Sequence, residues 1–155
     1  MYTGINLAWN YVNRTCRLTM DNYTANLLLK FGHTDPKNLQ HSPYKHTPIQ
    51  HGSKFQYANE IPNSLYLNYA KILRAQSILG SLLYYTYAVD NKLLVALSEL
   101  VQQQASATEA TKKSIEQLLD YVTTYPKYGI NFRASGLVLA RHSDAVYLNF
   151  SKARS

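Results

Sequence analysis

A carboxylate within an apolar segment is the side chain best placed to do chemistry in this sequence. The segment is ARHSDAVYLNF at 140–150, which is typical of a β-strand although Asp144 stands in its middle. Aspartate is depleted in strands, and burying it alone is costly, so Asp144 must be paired, hydrated or metal-bound. Asp144 is therefore a candidate catalytic and metal-binding residue. A two-metal site needs several more oxygen ligands, so a structural aspartate at a strand end is an equally good interpretation.

Histidine and cysteine offer weaker candidates. Four of the five histidines, His33, His41, His46 and His51, fall in one stretch without a cysteine, and their spacing matches no established ligand pattern. A polar loop is the better interpretation. The single cysteine, Cys16, excludes an internal disulfide and the usual cysteine-based zinc sites. We expect it to be a small core residue, because no base or orienting partner is evident beside it.

Positive charge is concentrated in the first half of the chain. The 155 residues carry a formal net charge of +7, and residues 1–80 hold eight Lys and Arg against three acids. A basic half, in a chain with fourteen tyrosines, suits a polyanion such as nucleic acid, although an ordinary basic surface is the alternative. The candidate nucleic-acid-binding residues are Arg14, Arg17, Lys30, Lys71 and Arg74.

The sequence gives no indication of a membrane protein. No apolar run approaches the roughly 18–20 residues of a membrane span. The start, MYTGINLAWNY, lacks the basic and apolar regions of a secretory signal. With one cysteine, we expect an intracellular, reducing environment and no membrane partner.

The first elements are predicted from apolar spacing. Alternation of Ile5, Leu7, Trp9 and Tyr11, followed by a second alternating run from Cys16 to Met20, predicts a β-hairpin with one buried face. A short amphipathic helix follows over 21–31. We expect Asp21 to be its N-cap and Gly32 to end it.

Helical spacing returns after a long interruption. Residues 33–64 contain four prolines and no apolar period, which predicts an extended connector. Three helices are predicted between 65 and 126. Gly80 inside the first suggests close packing of another element, and Ser106 with Glu109 has the spacing of a capping box. Two strands follow Pro126.

The predicted fold class is α+β, with an N-terminal β-hairpin, a long connector, three to four helices and a C-terminal β-hairpin. The corresponding divisions are 1–32, 33–64, 65–126 and 127–155. Because that last hairpin would be an incomplete sheet, we expect it to have an open edge.

In their order and spacing, several segments together resemble the C-terminal part of the reverse transcriptase of copia-type LTR retrotransposon polyproteins, continuing into the first strand of ribonuclease H. The resemblance covers nearly the whole chain. The segments are GINLAWN, RTCRLTMDNYTANLLLKFGHTDPK, HSPYKHTPI, QSILGSLLYYTYAVDNKLLVALSEL, TEATKKSIEQLLDYVTTYPKYGINFRAS and HSDAVYLNFSKARS.

The resemblance implies a role for each division. The hairpin at 4–20 would lie at the end of the palm, where the family grips the primer, and 21–31 would begin the thumb. Residues 66–124 would form the thumb and connection. Residues 127–155 would begin an incomplete ribonuclease H-like sheet. There Asp144 would match the first metal-binding aspartate of a site where two magnesium ions cleave the RNA of a hybrid.

Departures from the family pattern limit what this chain is expected to do. It begins after the paired aspartates of the polymerase site and stops at Ser155, before the other ribonuclease H acids. We therefore expect a polyprotein fragment that is inactive alone and binds no magnesium by itself. Its partners would be an RNA–DNA hybrid or primer–template duplex and the remaining polyprotein, in a cytoplasmic particle or the nucleus. A non-catalytic nucleic-acid-binding remnant and a structural relic without function are the alternatives.

Overall fold

The chain begins with the expected β-hairpin. Strands β1 (Asn6–Asn10) and β2 (Thr15–Thr19) pair antiparallel, with Trp9 opposite Cys16. The turn between them ends at Arg14, whose φ of 50° lies in the left-handed region. The structure is a computed structural model, in which the described residues are 4–33, 36, 39–45 and 64–136.

A third strand completes this sheet. Strand β3 (Gly129–Arg133) pairs antiparallel with β2, so the strand order is β1-β2-β3. The first strand predicted for the C-terminal hairpin therefore exists, and its described partner is β2. The second predicted strand, with Asp144, lies outside the described residues. Gly129 is needed for this pairing, because a Cβ there would lie 2.6 Å from the Leu18 carbonyl oxygen.

The expected burial of the hairpin's apolar face is wrong for β1. Leu7 and Trp9 are 51% and 61% exposed, whereas Cys16 is buried, as predicted. Only one end of the sheet reaches the helices, since Met20 belongs to the main core and Leu18 packs against it. The rest of the apolar face extends beyond the helical body.

Four helices form that body, as the α+β prediction requires. They are α1 (Tyr23–Phe31), α2 (Tyr69–Ala88), α3 (Leu94–Gln103) and α4 (Glu109–Thr124). Short 3₁₀ turns at Asn91–Leu93 and Gln104–Ser106 precede and follow α3. None of the described helices is both long and apolar enough to cross a membrane.

One core joins the helices. Its fully enclosed side chains come from α2, α3, α4 and the turn before α3, and include Leu79, Leu82, Leu93, Leu97 and Leu118. The close packing expected at Gly80 is absent among the described residues, because no described atom lies within 4 Å of the position of its Cβ. Gly80 lies on the solvent side of α2, opposite this core.

Two helix starts differ from the prediction. The residue before α1 is Asn22, which has a φ of 63° and makes no side-chain cap. Asp21 instead accepts a hydrogen bond from the Asn6 amide at 2.8 Å, because the adjacent strand offers a donor. Helix α4 has a capping box formed by Thr108 and Thr111, two residues after the predicted Ser106 start. The predicted end of α1 at Gly32 is confirmed by its φ of 62°.

The described part of the connector lies along α4. His33 Nε2 is 2.6 Å from Asp120 Oδ1, and His41 Nδ1 is 2.7 Å from the Tyr125 hydroxyl. The Gln117 amide donates to the Ser42 carbonyl at 3.3 Å. Two of the four connector histidines therefore bind separate residues at the end of α4. His46 and His51 lie outside the described residues.

Candidate nucleic-acid interface

The exposed apolar face of the sheet forms an open cleft of about 570 Å³. We call it the sheet cleft, and its lining residues are Leu7, Trp9, Asn10, Tyr11, Arg14, Cys16, Leu18, Phe132, Arg133 and Ala134. The side chains of successive strand residues alternate between faces, so the register brings Trp9, Cys16 and Phe132 into one row across the three strands.

Aromatic rings stand at both sides of the sheet cleft. Trp9 on β1 is 61% exposed and Phe132 on β3 is 51% exposed, while Cys16 between them is buried. The two outer strands are separated by about 10 Å, twice the usual spacing between strands. Tyr11 extends the aromatic surface, with its ring centroid 6.3 Å from that of Trp9 and the planes 19° apart. Flat, exposed rings of this kind can stack on planar ligands.

Arginines frame the same cleft. Arg14 lies at the hairpin turn and Arg133 at the end of β3, and the Ala134 N–H donates to the Arg14 carbonyl at 3.0 Å, which joins these two segments. Arg17 is on the opposite face of β2, paired with Asn131. Within the described ranges, none of the three arginines forms an ion pair. Their charge is therefore available to an anion.

The other predicted binding residues lie elsewhere and have partners. Lys30 and Arg74 both lie over the Phe31 ring, at 5.2 and 5.9 Å from its centroid, and Arg74 also donates to the Phe31 carbonyl. Lys71 Nζ is 2.8 Å from Glu109 Oε1, and this hydrogen bond lowers the pKa of Glu109. The structure thus divides the predicted set in two. Arg14 and Arg17 lie on the sheet, where only Arg14 lines the sheet cleft, and the other three residues contact Phe31 or Glu109.

The sequence patterns did not identify the buried acid just after α2, Asp90, as a candidate site. Asp90 is almost fully enclosed, and its Oδ1 has no hydrogen-bond partner among the described atoms. Lys92 Nζ is 3.9 Å from that oxygen and also lies 3.8 Å from the centroid of the Tyr128 ring. Burial raises the pKa of Asp90. Burial and the nearby Asp90 also raise the pKa of Tyr85 to about 12.

No metal centre can be assembled from the described residues. They contain no group of three or more His, Cys, Asp or Glu side chains that could hold an ion. Asp144, the ligand implied by the resemblance, lies outside them. Among the described side chains there is therefore no ligand set for a two-magnesium site.

Sequence patterns missed the sheet cleft because alternation reveals that a strand has two faces without revealing which face is covered. The exposed Trp9 and Phe132 were recognisable only as apolar members of strands. Of the two arginines beside them, charge identified Arg14 as a candidate, whereas Arg133 was missed.

The chain was compared with protein-family models, with curated proteins and with solved structures, and none of the three comparisons finds a match. The likeness to a copia-type reverse transcriptase therefore stays a prediction from the sequence.

Proposed function

We propose that this chain binds nucleic acid through the sheet cleft, as a segment of a retrotransposon reverse transcriptase–ribonuclease H polyprotein. One observation carries the binding proposal. Trp9 and Phe132 are half exposed on the same sheet face, beside Arg14 and Arg133, which have no acidic partner among the described residues. Exposed aromatic rings next to unpaired cations are the combination that holds a nucleic-acid strand.

The chemistry favours a strand whose bases are accessible. Stacking on an aromatic ring contributes about 1–3 kcal/mol per base and requires an open base face. Within a continuous duplex those faces are covered by neighbouring bases. The preferred ligand is therefore a primer–template with a single-stranded end, with the bases on Trp9 and Phe132 and the phosphates beside Arg14 and Arg133.

In this proposal the chain holds nucleic acid without transforming it. Asp144 would be the first ribonuclease H ligand of the parent polyprotein, in which magnesium would supply the cleavage chemistry. Purified chain incubated with Mg²⁺ and a labelled RNA–DNA hybrid should leave the RNA intact. Cleavage that disappears in Asp144→Asn would contradict the inactive-fragment proposal and leave the binding proposal standing.

The sole tryptophan makes the binding proposal directly testable, since Trp9 is the only one in the chain. Titration with a recessed primer–template should quench its fluorescence and yield a Kd that weakens steeply with salt. A blunt duplex of the same length should bind more weakly. Absence of quenching at about 50 mM salt, together with no mobility shift, would exclude the sheet cleft as a nucleic-acid site.

A second candidate function rests on the same exposed surface. Leu7 and Phe132 are each 51% exposed, which also suits a sheet face that the remainder of the polyprotein covers. In that case the aromatic residues would matter for solubility and the arginines would contribute nothing to binding. The titration above separates the two, because only a nucleic-acid site gives salt-dependent quenching.

A further inference from the structure

A cavity of about 100 Å³ lies between helices α2 and α4. We call it the α2–α4 cavity. The lining residues of each helix have the i, i+3, i+4, i+7 spacing that places side chains on one face. They are Lys71, Arg74, Ala75 and Ile78 of α2, and Lys112, Ile115, Glu116 and Leu119 of α4. Two facing helix surfaces therefore enclose this space, away from the sheet cleft.

The floor of the α2–α4 cavity is apolar. The buried lining residues of the two helices are Ala75, Ile78, Ile115 and Leu119, and buried Leu67 joins them from the segment before α2. An apolar cavity of about 150 Å³ in a protein interior can hold a benzene molecule. A cavity of two thirds that volume therefore has room for an aliphatic group of about three or four carbons.

The rim of the α2–α4 cavity is charged and exposed. Lys71, Arg74, Lys112 and Glu116 line it on the solvent side. Lys71 Nζ is 2.8 Å from Glu109 Oε1, and Lys112 Nζ is 4.0 Å from Oε2 of the same carboxylate and 3.6 Å from Glu116 Oε1. Three cations thus share two carboxylates. One positive charge is left without an acidic partner among the described residues.

That unbalanced cation is Arg74. It donates to the Phe31 carbonyl and lies over the Phe31 ring, and neither contact supplies a negative charge. A guanidinium has five N–H donors in a planar fork that matches a carboxylate, and the contact with Phe31 leaves most of them available. His33 also lines the cavity, but it is paired with Asp120 and adds no unbalanced charge.

We propose that the α2–α4 cavity binds a small aliphatic carboxylate. Its branched apolar group would lie among Ala75, Ile78 and Ile115, and its carboxylate would bind Arg74 at the rim. The volume limits the apolar group to a few carbons, and a single surplus positive charge matches a monoanion. This proposal does not rest on nucleic-acid binding, because the sheet cleft is formed by the strands and their turns.

Titration of the full chain with 3-methylbutanoate, followed by methyl NMR, tests the site directly. The methyl signals of Ala75, Ile78 and Ile115 should shift and saturate with a Kd of about 1 mM, because so small a ligand has few atoms to contribute affinity. The methyl signals of Leu7, in the sheet cleft, should stay unchanged. Absence of saturable shifts at the cavity at ligand concentrations about tenfold above that Kd would overturn the proposal.

Two matched ligands separate the apolar group from the charge. Acetate keeps the carboxylate and lacks the branched group, whereas 3-methylbutanol keeps the group and lacks the charge. Each should bind roughly tenfold more weakly than 3-methylbutanoate or worse, because each loses one of the two contacts. Equal binding of acetate would mean that only the rim charge is sensed. Equal binding of 3-methylbutanol would mean that Arg74 plays no part, and either result contradicts the proposed ligand.

Two substitutions test the two ends of the site. Arg74→Gln should weaken binding of 3-methylbutanoate by roughly tenfold or more, because it removes the carboxylate's partner. Lys113→Gln is the matched control, since it removes one cation of α4 that lies outside the cavity lining, and it should bind like the wild type. Ala75→Leu should fill the cavity and abolish binding while the rim charges remain.

The NMR spectrum of Ala75→Leu also shows whether that variant keeps the fold. If it does, retained binding would overturn the cavity as the site. If the larger side chain unfolds the chain, the comparison of Arg74→Gln with Lys113→Gln decides, because both substitutions are at exposed positions. Equal weakening by these two variants would show that only net charge attracts the carboxylate.

Discussion

His33 Nε2 lies 2.6 Å from Asp120 Oδ1, and this contact joins the residue after the end of α1 to the last turns of α4. Both side chains are largely covered, with exposures of 21% and 16%. A second contact reinforces the same junction, because the Thr24 hydroxyl donates to the Pro126 carbonyl at 2.8 Å. Helix α1 follows the hairpin directly, so this junction holds the sheet beside the helical body.

Asp120→Asn should lower the free energy of unfolding by about 1–2 kcal/mol, because it weakens a charge-assisted hydrogen bond in a mostly covered place. Urea unfolding followed by circular dichroism measures the change. Glu116→Gln is a suitable control on the same helix, since Glu116 forms only an exposed ion pair with Lys112. That variant should change stability by no more than about 0.5 kcal/mol. If Asp120→Asn and Glu116→Gln lower the free energy of unfolding equally, the His33–Asp120 contact contributes no more stability than an exposed ion pair.

Because of Asp90, the free energy of unfolding should fall as pH rises. Burial raises its pKa in the folded chain, so the folded state binds this proton more tightly than the unfolded state does. The stability that the protonated Asp90 contributes is complete at pH values below the pKa of Asp90 in the unfolded chain. It is lost as pH rises through the pKa of Asp90 in the folded chain.

Asp90→Asn removes this titration. Urea unfolding between about pH 3 and pH 7 should show the variant gaining stability relative to the wild type with rising pH. Glu99→Gln serves as the control for loss of a carboxylate from the adjacent helix. A constant difference between wild type and Asp90→Asn across the range would contradict the buried-acid assignment.

At the sheet cleft, substitutions should separate the contribution of ring stacking to nucleic-acid binding from the contribution of positive charge. Trp9→Ala should weaken binding of a recessed primer–template by about 1–3 kcal/mol and leave its salt dependence unchanged. Arg14→Ala should instead reduce the slope of log K against log salt by about 0.7–0.9. Fluorescence anisotropy of a labelled oligonucleotide measures both.

Lys113→Ala provides the control for net charge in those titrations, because it removes one cation from α4, outside the sheet cleft. It should alter binding much less than Arg14→Ala does. If the two variants weaken binding equally, the interaction depends on net charge and not on this cleft.

Two glycines should respond oppositely to the same substitution. Gly129→Ala should destabilise the fold by about 1–3 kcal/mol, because the new methyl group would meet the Leu18 carbonyl and the Thr19 side chain. Gly80→Ala should stabilise it by up to about 1 kcal/mol. Thermal or urea unfolding of the pair measures the contrast. A neutral Gly129→Ala would mean that β3 does not need its close approach to β2.

Local patterns in the sequence determined most of the elements. Alternation predicted the hairpin, and the left-handed preference of glycine placed the end of α1 at Gly32. Charge, and no structural pattern, named Arg14 and Arg17 as candidate nucleic-acid-binding residues, and that assignment stays a prediction. Local patterns missed the start of α4 by two residues, because Ser106 and Thr108 are both plausible caps.

The tertiary structure decided everything that depends on what covers a surface. Trp9 and Phe132 have the sequence signature of core residues, yet the helical body reaches only the end of the sheet near Met20. Gly80 suggested a close neighbour, and α2 instead turns it toward solvent. Asp90 lies between α2 and the turn before α3, and the fold buries its carboxylate. Periodicity along a chain reports which residues share a face, whereas burial depends on contacts between residues far apart in sequence.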